Sequence, residues 1–151
     1  MSEKQYVIFK LSKEEYGIDI MNVREIVQYQ ESVKVPNSPA FIEGIINYRG
    51  KVIPIICLKK KFGMGNSMND ANTRIIVINL NDKQIGFLVD EASQTVRIDD
   101  SNIDPTPEVI SGIERKYITG VGKIDNRLVI LIDLEKVLTD DDKVKIESLE
   151  V

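Results

Sequence analysis

The sequence predicts a mostly β protein, built as a barrel or a sandwich, from three observations. Short apolar segments recur at roughly ten-residue spacing between turn signals along most of the chain. Few segments show the apolar spacing of an amphipathic helix. Two stretches of the first half also align with two stretches of the second half in the same order, which indicates a small β unit used twice.

The first half is predicted to contain two hairpins joined by an irregular segment. The runs "YVIFKL" and "YGIDI" alternate apolar with smaller or polar residues around the turn "SKEE", as strands do. "MNVREIVQY" mixes helical and extended signals, so we predict a short turn near residues 21–23 and a strand over about residues 25–29. The loop "VKVPNSP" precedes the hairpin "IINYRGKVIPII". "LKKKFGMG" then predicts one or two helical turns, with lysines 59–61 on a solvated face.

The second half follows a polar linker, "NSMNDAN", at residues 66–72. The strands "RIIVINL", "QIGFLVD" and "SQTVRI" come next, and the prolines of "DPTPE" set a bend. "YITGVGKI" and "RLVILIDL" form a closing hairpin around "DN". The chain ends in a predicted helix with Asp and Thr available as N-caps.

The internal repeat bears on the hairpin tip at Arg49–Gly50. A shift of 69 positions aligns the first hairpins of the two halves, with Gly17 on Gly86, and a shift of 76 aligns the second hairpins. The tip equivalent to Arg49–Gly50 is then Asp125–Asn126, an ordinary pair for a tight turn. Because the second copy has no arginine at this tip, the fold does not require one, and we predict that Arg49 serves binding.

The composition excludes several classes of function. The chain has 151 residues, a net charge of −4 and no histidine. The missing histidine removes the commonest general base and transition-metal ligand, and the single cysteine, Cys57, cannot build a zinc site. Negative charge argues against nucleic acid or an anionic membrane surface as the main partner. We therefore expect no enzyme activity, no cofactor, no metal and no nucleic acid partner.

The same composition indicates the compartment. One cysteine cannot form an intramolecular disulfide and is typical of a reducing environment. The N-terminus "MSEKQYVIFK" enters an apolar alternation without the pattern of a signal peptide, and no apolar run has the length of a membrane span. We expect a cytoplasmic protein.

The segment "MNVREIV" is the candidate for a binding surface. Its apolar and charged residues share no clean strand period, so either Val23, Ile26 and Val27 all face the core or some of them line a groove between two β units. Grooves at such junctions are favoured recognition sites. Glu25 would be a natural partner for Arg49 across the groove, because an Arg–carboxylate pair can fix loop geometry and orient a partner.

Several motifs, in their order along the chain, closely resemble the CheW family of bacterial chemotaxis coupling proteins. They are "EEYGIDI", "VREI", "NSPAFIEGIINYRGKVIPII", "IGFLVD", "DPTPE" and "YITGVG", and the resemblance covers residues 6–138. It implies two five-stranded small β-barrels packed on a shared hydrophobic interface, with a short C-terminal helix. The implied organisation is one CheW-like domain over residues 1–139, with a first barrel at 12–66 and a second at 73–139. The strand at residues 5–11 is shared between the barrels or exchanged, and residues 140–151 form a helical or partly disordered tail.

The resemblance also implies the function and the partners. The family joins methyl-accepting chemoreceptors to the histidine kinase CheA without chemistry of its own. We therefore expect a non-enzymatic adaptor in receptor arrays at the inner face of the membrane, reaching the membrane only through receptors. By motif, the groove that takes the receptor's cytoplasmic tip should contain Val23, Glu25, Ile26 and Arg49, with Ile45 and Val89 as apolar wall residues. The regulatory domain of CheA should contact the "IDPTPEV" segment at Ile103, Asp104, Pro105, Pro107 and Val109.

Two of these positions depart from the pattern of enteric members of the family. Asp104 stands in place of a basic residue and Val109 in place of an aromatic one. The location of the kinase contact can carry over while the pairing of residues differs.

Three alternatives stay open on the sequence. A CheW-like scaffold could serve a chemosensory pathway other than motility, with a different receptor and kinase. An oligonucleotide-binding barrel would need basic and aromatic residues on one sheet face, yet the aromatic fraction is 6% and there is no tryptophan. An enzyme that relies on Asp and Glu alone would need a convergent polar cluster, which the apolar runs do not show.

Overall fold

The computed structural model describes residues 3–65, 69–80, 82–106 and 115–147. Within these ranges the chain forms eleven strands and three short α-helices. The strands are β1 (Glu3–Leu11), β2 (Glu14–Asp19), β3 (Val23–Gln28), β4 (Ile42–Tyr48), β5 (Lys51–Cys57), β6 (Arg74–Leu80), β7 (Lys83–Val89), β8 (Glu91–Asp99), β9 (Ile103–Asp104), β10 (Ile118–Ile124) and β11 (Arg127–Ile132). The helices are α1 (Leu58–Lys61), α2 (Leu134–Val137) and α3 (Asp140–Glu147).

The strands form two sheets, and the prediction of a mostly β protein is confirmed. The six-stranded sheet has the order β8-β1-β2-β11-β10-β9, and the five-stranded sheet has the order β3-β6-β7-β5-β4. Neighbouring strands pair antiparallel, except that β2 pairs parallel with β11 and β5 pairs parallel with β7.

The two parallel pairs reproduce the internal repeat of the sequence. Gly17 of β2 lies opposite Leu131 of β11, and Gly86 of β7 lies opposite Ile55 of β5. A Cβ on Gly17 would lie 2.8 Å from Leu131 Cδ2, and a Cβ on Gly86 would lie 2.6 Å from Ile55 Cδ1. Each glycine therefore leaves room for the apolar side chain of the neighbouring strand, which explains why the repeat aligns glycine with glycine.

The core has three parts. One buried cluster lies within each sheet, with Tyr48 and Leu88 in the five-stranded sheet and Ile98 and Leu131 in the six-stranded sheet. The third and largest takes residues from both sheets and continues into α2 and α3. Because this cluster is shared, neither sheet buries its apolar surface alone. Its fully buried side chains include Phe9, Leu11, Ile56, Leu58, Ile76 and Phe87.

The two sheets do not correspond to the two halves of the chain, which the sequence analysis separated between residues 66 and 73. The hairpin of β1 and β2 comes from the first half of the chain but pairs with β8 and β11, while β6 and β7 pair with β3 and β5. The predicted first strand at 5–11 thus joins the sheet of the second half and takes β2 with it. The two hairpins have interchangeable apolar patterns, so each sheet accepts the hairpin of the other half.

The predicted closed barrels are not confirmed. In the part of the chain that the structure describes, the backbone ladders end at β8 and β9 in one sheet and at β3 and β4 in the other. The sheet that contains β10 and β11 has six strands instead of the predicted five, because the two-residue strand β9 is added beside β10.

The expectation of a solvated lysine face on α1 is wrong. Lys59 and Lys61 are only 13% and 15% exposed, and each lysine of α1 pairs with a carboxylate from a different part of the chain. A short helix at the junction of the sheets places its lysines among carboxylates that are distant in sequence. The three ion pairs are Lys59–Asp90 at 3.3 Å, Lys60–Glu43 at 3.4 Å and Lys61–Asp142 at 2.5 Å.

The Lys61–Asp142 pair holds the C-terminal helix against α1. Thr139 and Asp142 form a reciprocal cap, in which each backbone N–H donates to the other side chain at 3.0 Å. Ile146, one turn further on, is buried in the shared cluster. The tail predicted from residue 140 is therefore helical as far as the description extends, to residue 147.

Replacing Lys61 by methionine should lower the free energy of unfolding by about 2–3 kcal/mol, because Asp142 would keep its charge at a site that is 10% exposed. Although burial opposes ionisation, the bonds from Lys61 and Thr139 hold the pKa of Asp142 below its ordinary value. This stabilisation is therefore present above the unfolded pKa of about 4 and is lost as the pH falls through the folded value. Urea unfolding at pH 7 and pH 3 measures both effects, with Lys60→Met as the more exposed control.

Candidate functional site

The tip of the β4–β5 hairpin holds an arginine in an unfavourable backbone conformation. Tyr48 pairs with Lys51, so Arg49 and Gly50 alone form the loop, and their φ values are 51° and 82°. Two positive φ values in a two-residue loop define a type I′ turn, which favours Asn, Asp and Gly. Asn47 supports the turn by accepting the Gly50 N–H at 3.0 Å. Arginine costs more than asparagine in this conformation, so the turn itself gives no reason for Arg49.

Glu25 is the ion-pair partner of Arg49, as the sequence predicted. Arg49 donates to Glu25 Oε1 from Nε at 3.0 Å and from Nη2 at 2.8 Å. The hydroxyl of Tyr48 donates to the same oxygen at 2.5 Å. The guanidinium also lies near the Tyr48 ring, with Cζ 5.6 Å from the ring centroid. We call Glu25, Tyr48 and Arg49 the tip cluster.

The tip cluster fixes charge at the surface. The hydroxyl of Tyr48 and then the guanidinium of Arg49 lower the pKa of Glu25, and Glu25 in turn raises the pKa of Arg49. Both charges therefore persist at all physiological pH values. Arg49 is 65% exposed and uses two of its five N–H donors on Glu25. Its remaining donors can bind a carboxylate or carbonyl on a partner.

The tip cluster also joins the two edges of the five-stranded sheet. Glu25 lies on β3 and Tyr48 on β4, which are opposite edges of that sheet. Gln30 Nε2 donates to the carbonyl of Asn47 at 3.2 Å, just beyond the end of β3. Val33 then exchanges two backbone hydrogen bonds of 2.9 Å with Ile45 of β4. The sheet is thus curled until its edges meet through side chains and an isolated bridge.

A β-bulge explains the missing period of "MNVREIV". The pairing of β3 with β6 shifts between Val23 and Glu25, which leaves Arg24 as an extra, exposed residue. A bulge reverses the alternation of side chains that follow it. Val23 and Ile26 therefore both pack against the shared cluster while remaining partly exposed, whereas Val27 packs within the five-stranded sheet. Val23 and Ile26 thus touch both the core and the surface, and the groove between two β units stays a prediction.

The other two predicted wall residues differ from each other. Ile45 is partly exposed on the edge strand β4, on the same strand as Tyr48. Val89 is 1% exposed at the end of β7, the central strand of its sheet, and belongs to the shared cluster. The structure therefore gives Val89 no surface that a partner could contact.

The predicted kinase-contact segment lies at an edge of the other sheet. β9 pairs with β10, and the partly exposed Ile103 packs against the cluster of the six-stranded sheet. Asp104 is exposed and lies 3.3 Å from Lys123 on β10, and Pro105 is exposed beside it. Pro107 and Val109 lie outside the described residues.

Sequence reasoning missed Tyr48 as a member of the site. Its signal was available in the alternation of β4, which turns Ile46 and Tyr48 inward and leaves Asn47 exposed. A tyrosine that is inward-facing at the end of a strand buries its ring and keeps its hydroxyl near the surface. The signal was weak because the acceptor, Glu25, lies on another strand.

The site contains no group arranged for chemistry. Among the described residues, no set of three or more Cys, Asp or Glu side chains could hold a metal ion, and the described helices include none that is long and apolar enough to span a bilayer. The tip cluster consists of a paired carboxylate, a phenol and a guanidinium beside an apolar strand edge. The class of protein that the fold and this arrangement define is a β-sheet scaffold with a fixed charge and an apolar strand edge at its surface.

Comparison with known proteins then identifies the family. A family model described as "CheW-like domain" matches residues 5–142. The chain is 36% identical to the chemotaxis protein CheW of Klebsiella aerogenes, over 97% of this chain and 88% of that protein. It is also 36% identical to the chemotaxis protein CheW of Helicobacter pylori, over 91% of this chain and 82% of that protein. The crystal structure of the scaffolding protein TtCheW from Thermoanaerobacter tengcongensis matches with a TM-score of 0.83 and 37% identity, covering 94% and 92% of the two chains. The chain belongs to the CheW-like family.

Proposed function

We propose that the chain is a non-enzymatic chemotaxis adaptor that couples methyl-accepting chemoreceptors to the histidine kinase CheA. The observation that carries the proposal is the tip cluster, because Arg49 accepts an unfavourable backbone conformation and holds a fixed charge at the surface. The family match over residues 5–142 supports the same function. The adaptor acts by holding receptor and kinase together in arrays at the inner face of the membrane, where multivalency compensates for modest single interfaces.

The receptor side of the proposal uses the curled edge of the five-stranded sheet. Val23, Ile26 and Ile45 provide partly exposed apolar surface, and Arg49 supplies free N–H donors beside it. A helical hairpin tip can lay an apolar face against such an edge while a carboxylate or carbonyl accepts from the guanidinium. Val89 is not part of this proposed surface, because it is buried.

The kinase side uses the edge at β9, which lies in the other sheet. The two binding surfaces therefore stand on different sheets, so one chain can bind both partners at once. We assign the contact with the CheA regulatory domain to Ile103, Asp104 and Pro105 at this edge.

The overall proposal is tested by capture experiments with a receptor tip fragment and the CheA regulatory domain of the same organism. Each fragment should bind the full-length chain alone, and the two together should form a ternary complex. Mutually exclusive binding would contradict two separate surfaces, and no binding of either fragment would contradict the adaptor function. The same fragments from a second chemosensory system of the organism test the alternative pathway.

Reversing the charge of Asp104 should weaken kinase binding and leave receptor binding unchanged. Asp104 Oδ2 lies 3.3 Å from Lys123 Nζ. In Asp104→Lys a second cation would face Lys123, and the electrostatic field presented to the kinase would change sign at this point. We expect an affinity loss of about fivefold to twentyfold, measured by calorimetry with the regulatory domain. Glu14→Lys, an equal charge change at the exposed first residue of β2, is the control, and equal losses in both variants would contradict the assignment.

A further inference from the structure

The three hydrogen bonds of the tip cluster all end on one oxygen of Glu25. Oε1 accepts from the hydroxyl of Tyr48 and from Nε and Nη2 of Arg49. Within the part of the chain that the structure describes, no hydrogen bond reaches Oε2, and Arg24 acts on the carboxylate only through its charge. No buried side-chain oxygen of the described residues lacks a partner, so Oε2 is in contact with solvent. The tip cluster therefore presents one unused acceptor to a partner.

The use of a single oxygen is unusual for an arginine and a carboxylate. Such pairs are frequently bidentate, with two parallel N–H donors that bond one oxygen each. Tyr48 accounts for the difference, because its ring is anchored in the core, with the residue only 6% exposed, and its hydroxyl holds Oε1. Tyr48 is thus a positioning residue that keeps Oε2 out of the pair with Arg49.

Donors of Arg49 lie next to this acceptor. Arg49 keeps three N–H donors that Glu25 does not use, two on Nη1 and one on Nη2. Nη2 lies 2.8 Å from Oε1, and Oε1 shares its carboxyl carbon with Oε2. One small planar group of a partner can therefore reach a donor of Arg49 and the unused acceptor of Glu25 together.

A primary carboxamide has the chemistry that fits this donor and acceptor. Its C=O accepts from the guanidinium, and an N–H on the same side of the group donates to Oε2. A carboxylate has no proton to donate, and Glu25 would repel it, because Tyr48 and then Arg49 lower the pKa of Glu25 and keep it ionised. A trans peptide group directs its C=O and N–H to opposite sides, so it cannot bond both at once.

The six-stranded sheet contains an arginine that already has these two kinds of neighbour. Arg127 Nη1 lies 3.3 Å from Glu15 Oε2, and Arg127 Nη2 donates to Gln94 Oε1 at 3.1 Å. Gln94 is the equivalent of Glu25 in the shift of 69 positions, and Arg127 begins the second strand of the hairpin equivalent to β4–β5. In this unit of the repeat, a carboxamide of the chain binds a guanidinium that is paired with a carboxylate. At Arg49 no carboxamide of the described residues does so.

We propose that the tip cluster recognises the side-chain carboxamide of an asparagine or glutamine on the receptor tip, with Arg49 as donor, Glu25 Oε2 as acceptor and Tyr48 as the positioning residue. The inference rests on the proposed receptor-binding function and adds the chemical group that the site recognises. It also gives Glu25 a direct contact with the partner, besides its pairing with Arg49.

The test replaces carboxamides of the receptor tip fragment by carboxylates and measures binding to the full-length chain by calorimetry. Each asparagine is changed in turn to aspartate and each glutamine to glutamate, which keeps the shape of the side chain. We expect one of these carboxylate fragments to bind the wild-type chain about tenfold to a hundredfold more weakly than the native fragment. Glu25→Gln should recover at least about fivefold of that loss, because the neutral side chain no longer repels a carboxylate.

Two further variants make the measurement specific. Glu91→Gln is the matched control, since Glu91 is 38% exposed and pairs with Lys10 at 3.5 Å in the other sheet, and it should recover nothing. Tyr48→Phe keeps the buried ring but allows Glu25 to bond Arg49 through both oxygens. The ratio of the affinities for the native and the carboxylate fragment should then fall at least about threefold. A loss of stability alone would leave this ratio unchanged.

The outcomes separate this inference from the proposed function. If the native fragment binds and Arg49→Glu weakens it, but Glu25→Gln rescues no carboxylate fragment, the receptor surface stands and the carboxamide assignment is wrong. Rescue by Glu91→Gln as large as that by Glu25→Gln also contradicts the assignment, because removal of any negative charge would then suffice. If the native fragment does not bind the wild-type chain, the inference and the proposed function are both wrong.

Discussion

Replacing Gly44 by alanine should lower the free energy of unfolding by about 3–5 kcal/mol, from overpacking and backbone strain together. A Cβ at this position would lie 2.5 Å from the carbonyl oxygen of Val33 and 2.6 Å from Ser32 Oγ. The backbone at Gly44 has φ of +155°, and it stands at a β-bulge opposite β5. Neither neighbour can move away easily, because Val33 bridges to Ile45 through two backbone hydrogen bonds.

The repeat supplies a graded set of controls for this prediction. Gly120, the equivalent of Gly44, would place a Cβ 2.8 Å from Ile103 Cγ2 and 3.0 Å from the carbonyl of Asp104, so Gly120→Ala should cost about 2 kcal/mol. Gly50→Ala meets no atom within 4 Å but has φ of +82°, which should cost about 1 kcal/mol. Urea unfolding should rank the variants in this order. A cost for Gly44→Ala no greater than that for Gly50→Ala would contradict the close contact between Gly44 and residues 32–33.

The surroundings of Gly44 and Gly120 show how much of the repeat could be predicted from the sequence. The alignment of Gly44 with Gly120 was visible in the sequence, and both glycines stand at bulges where a neighbouring segment approaches closely, residues 32–33 at Gly44 and β9 at Gly120. The resemblance allowed the strand at residues 5–11 to be shared or exchanged, but the exchange of β2 together with β1 could not be predicted, because the hairpins of the two halves have the same alternating pattern. Strand period fixes which face is buried but not which remote strand becomes the neighbour.

The lysines of α1 show a second limit of sequence reasoning. Their charge was evident, but Lys61 pairs with Asp142 at a separation of 81 residues. No local pattern predicts a partner at that distance. Val89 illustrates the same limit in reverse, since a strand-end valine is exposed or buried according to whether its strand is at the edge or at the centre of the sheet.

The Glu25–Arg49 pair was predictable for a specific reason. The repeat supplied an internal control, in which Asp125–Asn126 replaces Arg49–Gly50, so an arginine without a structural need stood out. The structure strengthens this argument, because Arg49 has a positive φ that the fold does not reward. It also adds Tyr48, which ties Glu25 to the hairpin and so fixes where Arg49 points.

The conformation of Arg49 predicts opposite effects on stability and on binding. Arg49→Asn suits the positive φ better and should raise the free energy of unfolding, although it loses the bond to Glu25. Receptor affinity should nevertheless fall about tenfold, because the free N–H donors are gone. A variant that is more stable yet binds worse is the signature of a residue retained for function.

Reversing the charge in Arg49→Glu should lower receptor affinity by about tenfold to a hundredfold while the protein stays folded, as measured by calorimetry and circular dichroism. The new carboxylate would face Glu25 and the partner with the wrong sign, and Val23→Asp should give a similar loss by placing a charge on the apolar edge. Arg97→Glu, on the other sheet, is the matched control and should bind normally.

The double variant Glu25→Arg with Arg49→Glu restores an ion pair across the tip. If it also restored binding, Arg49 would act only by shaping the turn; if binding stays low, the guanidinium itself contacts the receptor. Because three of its N–H donors are not used by Glu25, we expect the second result.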